Sequence, residues 1–293
     1  MLIARLIADP ASLETRLDAA TAALEVAGLQ LAQARMLDFC GDVFELSLAG
    51  DDLVALRQVI DDYFAPCDAI IANAPFEIPA LFVSDMDSTM IGQECIDELA
   101  DFAGLKERIA AITERAMQGE LDFESALRER VGLLQGLDEG AITRCLEERI
   151  TANEGASVLV KTLKQKGCRT VLVTGGFHHF ADVVAEQIGF ERVVGNRLAV
   201  TGGKLDGQLV GGITDSATKK QVLLEELSKL GDGARSMAAG DGANDIPMLE
   251  ASTYGIAYYA KPKARMAANG WIERGDLTAL LTLLDIPRAE WVA

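Results

Sequence analysis

The sequence predicts an α/β protein, with an open parallel sheet interrupted by a helical insert and preceded by a smaller α+β segment. Apolar and β-branched runs at 80–84 and 170–173 each stop at an acid or a hydroxyl, as strands do where open α/β sheets place their chemistry. Helical patterns alternate with strand-like runs over most of the chain after residue 75. Residues 1–74 instead follow the order β-α-β-β-α-β of a ferredoxin-like split unit.

Taken in order, that first segment shows a strand over Leu2 to Ala8, a helix over Ser12 to Ala27, and strands near Leu29 to Met36 and Val43 to Leu48. A helix over Asp52 to Phe64 and a strand over Cys67 to Ala72 complete it. Asn73-Ala74-Pro75 reads as the junction, so the expected units are 1–74 and 75–293. The second sheet begins at Ala80, is interrupted by helices from about 96 to about 152, and resumes to the C-terminus. Gly202-Gly203, Gly207 and Gly211-Gly212 between short strands suggest a hairpin. No internal repeat, low-complexity tract, Walker loop or dinucleotide glycine fingerprint is present.

Four motifs carry chemistry. Asp85-Met86-Asp87-Ser88-Thr89 follows the run Ala80-Leu81-Phe82-Val83-Ser84 and sets two carboxylates at a strand end. Acids spaced i, i+2 point to opposite faces of a continuing strand, so their joint use requires the chain to turn, as Ser88, Thr89 and Gly92 permit. Ala239-Gly240-Asp241-Gly242-Ala243-Asn244-Asp245 is a second acid cluster before a helical pattern, with glycines that let backbone approach a ligand. An EF-hand is excluded there, because its third position would be Ala243 and its obligatory glycine would be Ile246. Thr170-Val171-Leu172-Val173-Thr174-Gly175-Gly176-Phe177 ends on a hydroxyl and paired glycines, suited to cradling phosphate in a turn. Thr218-Lys219-Lys220 opens a helix and offers a cation for a phosphoryl group. Each motif alone is as readily a turn, a cap or a solvated helix end; the four together point to magnesium and phosphate.

In this order the motifs resemble those of the haloacid dehalogenase superfamily, whose Rossmann-like parallel sheet carries a helical cap. Asp85 to Ile91 with Glu94, and the long stretch from Thr113 to Val131, resemble its phosphoserine phosphatases more closely. The resemblance runs from about residue 80 to about residue 275 and implies Mg2+-dependent hydrolysis of O-phospho-L-serine, the last step of L-serine biosynthesis. It implies Asp85 as nucleophile through an aspartyl-phosphate, Asp87 as general acid and base, and Lys219 as the cation beside the phosphoryl group. It places the metal on Asp85, Asp87 (through its carbonyl as well) and Asp241, with Asp245 behind them. Thr174, Gly175 and Asn244 would hold phosphate or substrate, Glu94 the ammonium and Arg130 the carboxylate, with Met117 and Phe123 as apolar walls. Many relatives carry serine at the position of Thr174; the hydroxyl is retained. Spacing after Asp215 favours Lys219 over Lys220. The first segment resembles the ACT-like domains of some members.

The alternatives keep the chemistry with another small phosphomonoester or a phosphoryl acceptor such as homoserine, or make the first segment an amino-acid sensor. A net charge of -18, from 45 acids against 27 bases, disfavours nucleic acid or an anionic membrane as partner. Cys40, Cys67, Cys95, Cys145 and Cys168 are scattered and odd in number, which argues against a disulfide frame or zinc site and for a reducing cytoplasm. No run approaches the ~20 apolar residues that span a bilayer, and the N-terminus lacks a signal-peptide core. His178 and His179 are the only histidines and are adjacent, excluding mechanisms that need separated ones. The partner expected is a small molecule, with a homodimer as the candidate assembly.

Overall fold

A computed structural model describes residues 1–37, 43–117 and 120–293. Cys40 and the Gln118-Gly119 step of the long motif lie outside the described residues, as does the side chain of Met117. The first segment contains β1 (Leu2–Ile7), α1 (Pro10–Val26), β2 (Gln30–Leu37), β3 (Val43–Ala49), α2 (Leu53–Phe64) and β4 (Asp68–Ala72). β5 (Leu81–Ser84) is followed by five consecutive helices, the first four being α3 (Cys95–Phe102), α4 (Lys106–Met117), α5 (Phe123–Leu133) and α6 (Gly140–Arg149). Next come α7 (Ala156–Gln165), β6 (Arg169–Phe177), α8 (His178–Ile188), β7 (Arg192–Thr201), β8 (Lys204–Val210) and α9 (Ser216–Ser228). The chain closes with β9 (Ser236–Gly240), α10 (Ile246–Ala251), β10 (Tyr254–Tyr258), α11 (Pro262–Ala267), β11 (Gly270–Ile272) and α12 (Ala279–Leu283).

Among the described residues all eleven strands join one sheet in the order β2-β3-β1-β4-β11-β10-β9-β5-β6-β7-β8. From β11 to β7 the pairing is parallel; β8 folds back antiparallel on β7 through Gly202-Gly203, both at positive φ, as expected for the hairpin. β5 sits between β9 and β6, so the helical connections leave it in opposite directions and open a crevice at its C-terminal end. Alternation along β5 sends Phe82 into the core under the four-helix insert and Leu81 and Val83 into the core of the opposite face. No described helix is long and apolar enough to cross a membrane.

The junction near residue 74 does not interrupt the sheet. β4 pairs antiparallel with β11, placing Ala69 opposite Trp271 and Ile70 opposite Gly270. Gly270 leaves room at this seam, since a Cβ there would lie 2.6 Å from Ile256 Cδ1 and 3.2 Å from the Ala69 carbonyl oxygen. Across the same seam the buried Asp68 carboxylate accepts backbone N–H bonds from Glu273, Arg274 and Gly275 at 2.8, 2.8 and 2.9 Å. Arg5 reaches the carbonyl of Leu283, and Arg265 pairs with Asp61. The first segment is thereby tied to the sheet that carries the crevice.

Glu226 of α9 gathers Arg169, Arg192 and Lys229 around one buried carboxylate. Burial pushes its pKa up, but Lys229, Arg169 and Arg192 outweigh that and hold it below the ordinary value. A lowered folded pKa contributes stability above the unfolded pKa and loses it as pH falls through the folded one. Glu226→Gln should therefore lower Tm by about 2–4 °C at neutral pH. The gap from wild type should begin to narrow below about pH 4, where the unfolded carboxylate is protonated, and shrink further as pH falls through the folded value; melts at pH 7 and pH 3.5 check the narrowing.

Candidate active site

The crevice is built by the C-terminal ends of β5, β6 and β9, with α5 of the insert as its roof. After Ser84 the chain wraps tightly, with the amides of Thr89, Met90 and Ile91 all donating to the carbonyl of Met86. Ser88 takes φ +54° there, an uncommon conformation for a residue with a Cβ. That turn lets Asp85 and Asp87 face one cavity. The Asp85 amide donates to Ala239 of β9 at 2.9 Å, and its Oδ1 accepts the Met86 amide at 2.7 Å.

Lys219, in the second turn of α9 after the Asp215 cap, reaches beneath the strand ends with its side chain 1% exposed. Its Nζ lies 2.6 Å from Asp85 Oδ2 and 2.7 Å from Asp245 Oδ1. Lys220 faces outward, so the lysine that enters the cluster is Lys219. The other oxygen of Asp245 accepts the amides of Asp241 and Gly242 at 3.2 and 3.0 Å, so it braces the 240–245 turn. Gly240 is the space that bracing needs, since a Cβ there would be 2.4 Å from Asp245 Cγ.

Carboxylate oxygens of Asp85, Asp241 and Asp245 lie within 4.8 Å of one another, all buried. Asp87 turns its carboxylate elsewhere, toward the N-terminus of α3, where Oδ1 sits 3.4 Å from the Cys95 amide. Burial and then the Asp245 charge raise the Asp85 pKa, with Lys219 opposing them. Burial pulls Lys219 down, but Asp85 and Asp245 more than offset it and hold the ammonium charged. Two carboxylates share that one charge, so the trio favours a second cation. Hard oxygen donors held this closely suit Mg2+. Asp87 is pushed up to about 7, by burial first and the Glu94 charge second, which suits a group that must both give and take a proton near neutrality.

The cavity of about 240 Å³ is lined by Asp85, Asp87, Glu94, Phe123, Arg130, Thr174, Gly175, Asp241, Asn244 and Lys261 among others. Of the expected site residues whose side chains are described, therefore, only Lys219 and Asp245 are not among its walls, and both lie directly beneath it. Glu94 is exposed at the mouth and accepts a 2.8 Å bond from Ser88 Oγ. Arg130 is half-buried on α5, with Asp97 and Glu94 as the nearby acids. Phe123 roofs the phosphate-sized floor: a Cβ at Gly175 would meet its Cζ at 3.4 Å.

The Thr174-Gly175-Gly176 stretch differs from the expected turn. β6 continues through it to Phe177, with its register against β7 shifting between Val173 and Phe177, so the cradle is a bulge in a strand. Thr174 Oγ1 accepts the Gly176 amide at 2.8 Å, folding the hydroxyl inward. A Cβ at Gly176 would come within 3.1 Å of Asp87 Oδ2. Two further residues had no motif to mark them. Buried Asn196 of β7 donates to the Gly175 carbonyl at 2.7 Å and accepts the Thr214 amide at 2.9 Å, holding the bulge. Its signal was a lone amide in the apolar strand Val193-Val194-Gly195-Asn196. Lys261 places Nζ 3.3 Å from Asp241 Oδ2, and nothing in its local sequence distinguishes it from a surface lysine.

Comparison with known proteins supplies context for this geometry. The model of the haloacid dehalogenase-like hydrolase family matches residues 82–250. A phosphoserine phosphatase of Albidiferax ferrireducens is 44% identical over 211 residues, covering 70% of this chain and 89% of its own. The structure of a probable phosphoserine phosphatase from Vibrio cholerae, in unliganded form, superposes with TM-score 0.74 at 27% identity, covering 99% of this chain and 88% of that one. A phospho-aspartyl intermediate analogue of a phosphoserine phosphatase superposes with TM-score 0.63 at 38% identity, covering 70% of this chain and 98% of that one.

Proposed function

The chain belongs to the haloacid dehalogenase-like hydrolase family and is a phosphatase; from that premise we propose that it hydrolyses O-phospho-L-serine to L-serine and phosphate, using Mg2+ and an aspartyl-phosphate intermediate. The observation that carries the reading is one cavity presenting buried acids at its base with Glu94 and Arg130 at its upper wall. Phosphate belongs over the acids and Lys219, and the ammonium and carboxylate of the amino acid belong on the two charges of opposite sign.

In the first step Asp85 attacks phosphorus and the bond to the seryl oxygen breaks, while Asp87 gives that oxygen its proton. In the second, water attacks the aspartyl-phosphate, Asp87 takes the water's proton, and Asp85 is released as a carboxylate. Lys219 stays paired with Asp85 and Asp245, adjacent to where phosphoryl charge develops. Asp85 and Asp241, with Asp87 through its backbone, would hold Mg2+, which when bound neutralises phosphate oxygens. Thr174, Gly175 and Asn244 complete the phosphate side, and Phe123 with Met117 the apolar side.

Residues 1–74 are assigned as a ferredoxin-like, ACT-like unit and 75–293 as the phosphatase unit, capped over about 96–152. The β2-β3-β1-β4 order and the run α3–α6 support this. We assign the enzyme to the last step of L-serine synthesis, and the scattered cysteines support a reducing cytoplasm as its setting.

The test is phosphate release from O-phospho-L-serine, phosphothreonine, sugar phosphates and p-nitrophenyl phosphate, with and without Mg2+. Preference for phosphoserine that depends on Mg2+ is expected; equal rates across the panel would overturn the substrate assignment. Arg130→Ala should lower kcat/KM for phosphoserine roughly ten- to hundredfold, the worth of a charged hydrogen bond. The same variant should lose far less on p-nitrophenyl phosphate, which has no carboxylate.

A further inference from the structure

We propose that Lys261 is a substrate-binding residue whose ammonium competes with the divalent cation for Asp241 and, once displaced, meets the anionic substrate at the cavity mouth. The inference rests on the reading of the site as a cation-dependent phosphomonoesterase and adds to it a residue outside its motifs.

Lys261 follows β10 by way of Tyr259, which takes φ +41°, and directly precedes α11. Its backbone is pinned: the amide donates to the Asp241 carbonyl at 2.8 Å. The helix that begins after it is anchored from the first segment, where Arg57 of α2 donates to the carbonyls of Met266 and Ala268. Arg265 of the same helix pairs with Asp61 and Glu273 and lies 3.6 Å from the centre of the Trp271 ring. Only the side chain of Lys261 is left to move. It is 68% exposed, against 1% for Lys219, and a single ion pair at 3.3 Å holds its tip. An exposed contact of that kind is weak enough to exchange.

Asp241 Oδ2 faces this ammonium while the same carboxylate belongs to the buried cluster with Asp85 and Asp245. Two cations a few ångströms apart repel each other, so a metal on Asp241 weakens the hold on Lys261. The displaced ammonium has a use at the mouth. The cavity walls carry four acids (Asp85, Asp87, Glu94 and Asp241) and two cations, Arg130 and Lys261. Lys219 is already paired with two carboxylates, and the whole chain carries -18. An approaching phosphate ester therefore depends on local positive charge, and Lys261 is the more exposed of the two cations on the walls.

The competition makes the two consequences of removing the side chain opposite in sign. For Lys261→Ala, isothermal calorimetry with Mg2+ at neutral pH and no substrate should show Kd about two- to fivefold lower than wild type, the range for losing one exposed charge contact. KM for phosphoserine should rise about tenfold, with kcat within about twofold and a shallower dependence of kcat/KM on salt. Lys261→Arg should return both quantities toward wild type. A merely structural role would weaken metal and substrate together, so unchanged or weaker Mg2+ binding overturns the competition, and an unchanged KM overturns the substrate contact. Should phosphoserine prove not to be hydrolysed by wild type, the assigned substrate fails; the Mg2+ titration and the KM for whichever ester of the panel is hydrolysed still decide the role of Lys261.

Discussion

Asp85→Asn is expected to lower phosphoserine turnover on the order of 10⁴-fold or more, as removal of a nucleophile does, while the protein melts no earlier than wild type. The activity loss follows from chemistry, since an uncharged amide does not attack phosphorus to form the acyl-phosphate. Stability follows from charge counting. In the native trio Lys219 faces Asp85 at 2.6 Å and Asp245 at 2.7 Å, and the Asp85 pKa is raised because its ionised form is buried beside a second carboxylate. The amide removes one of two mutually repelling charges and leaves Lys219 paired with Asp245, while its one oxygen serves either the Met86 amide or Lys219. Strain from like charges is a common cost of an active site, and neutral substitutions there commonly raise stability. Phosphate release and a thermal melt on the same preparation decide it. Residual activity above about 1% of wild type would remove Asp85 as nucleophile, and a lower Tm would mean that its charge holds the cluster together.

Lys219→Met should show the reverse balance, with a large loss of stability as well as of activity. The aliphatic stem is kept, but the carboxylates of Asp85 and Asp245, with oxygens within 4.8 Å of each other, lose the ammonium that both touch. Removing one partner of a buried ion pair costs about 3–5 kcal/mol, equivalent to roughly 6–20 °C in Tm for a chain of this size. Lys219 has a raised folded pKa, so its contribution is fully present below the unfolded value and is lost only as pH rises through the folded one. At neutral pH the whole effect is therefore visible. Millimolar Mg2+ should raise the variant's Tm more than it raises wild type's, because the cation takes over part of the neutralisation. Equal Mg2+ shifts in the two proteins would show that the metal does not sense this charge cluster.

The legible part of the site was the part written in local runs. Asp85 and Asp87 were marked by an apolar run ending in acids, and Asp241, Asn244 and Asp245 by glycines on either side of an acid. Those patterns report on a few consecutive φ/ψ choices, which short-range sequence controls. The Thr174 cradle was found but its conformation was not: paired glycines permit a turn, yet β7 supplies hydrogen bonds to Phe177 beyond them and the strand continues as a bulge. Asn196 and Lys261 were missed because their importance comes from neighbours 21 and 20 residues away.

By itself the sequence determined the order and kind of the elements, the acid-bearing strand ends and, through the resemblance its motifs carry, the family. Those are outcomes of hydrophobic periodicity and turn chemistry, which act over a few residues. Tertiary structure decided that Lys219 is the buried lysine, where spacing after Asp215 only favoured it over Lys220, because the orientation of α9 aims it at Asp85. It also decided that the N-terminal segment continues the same sheet, because the pairing of β4 with β11 joins residues about 200 positions apart. Burial, and with it the charge imbalance around Lys219 and the raised Asp87, arises only when those distant surfaces close over one another.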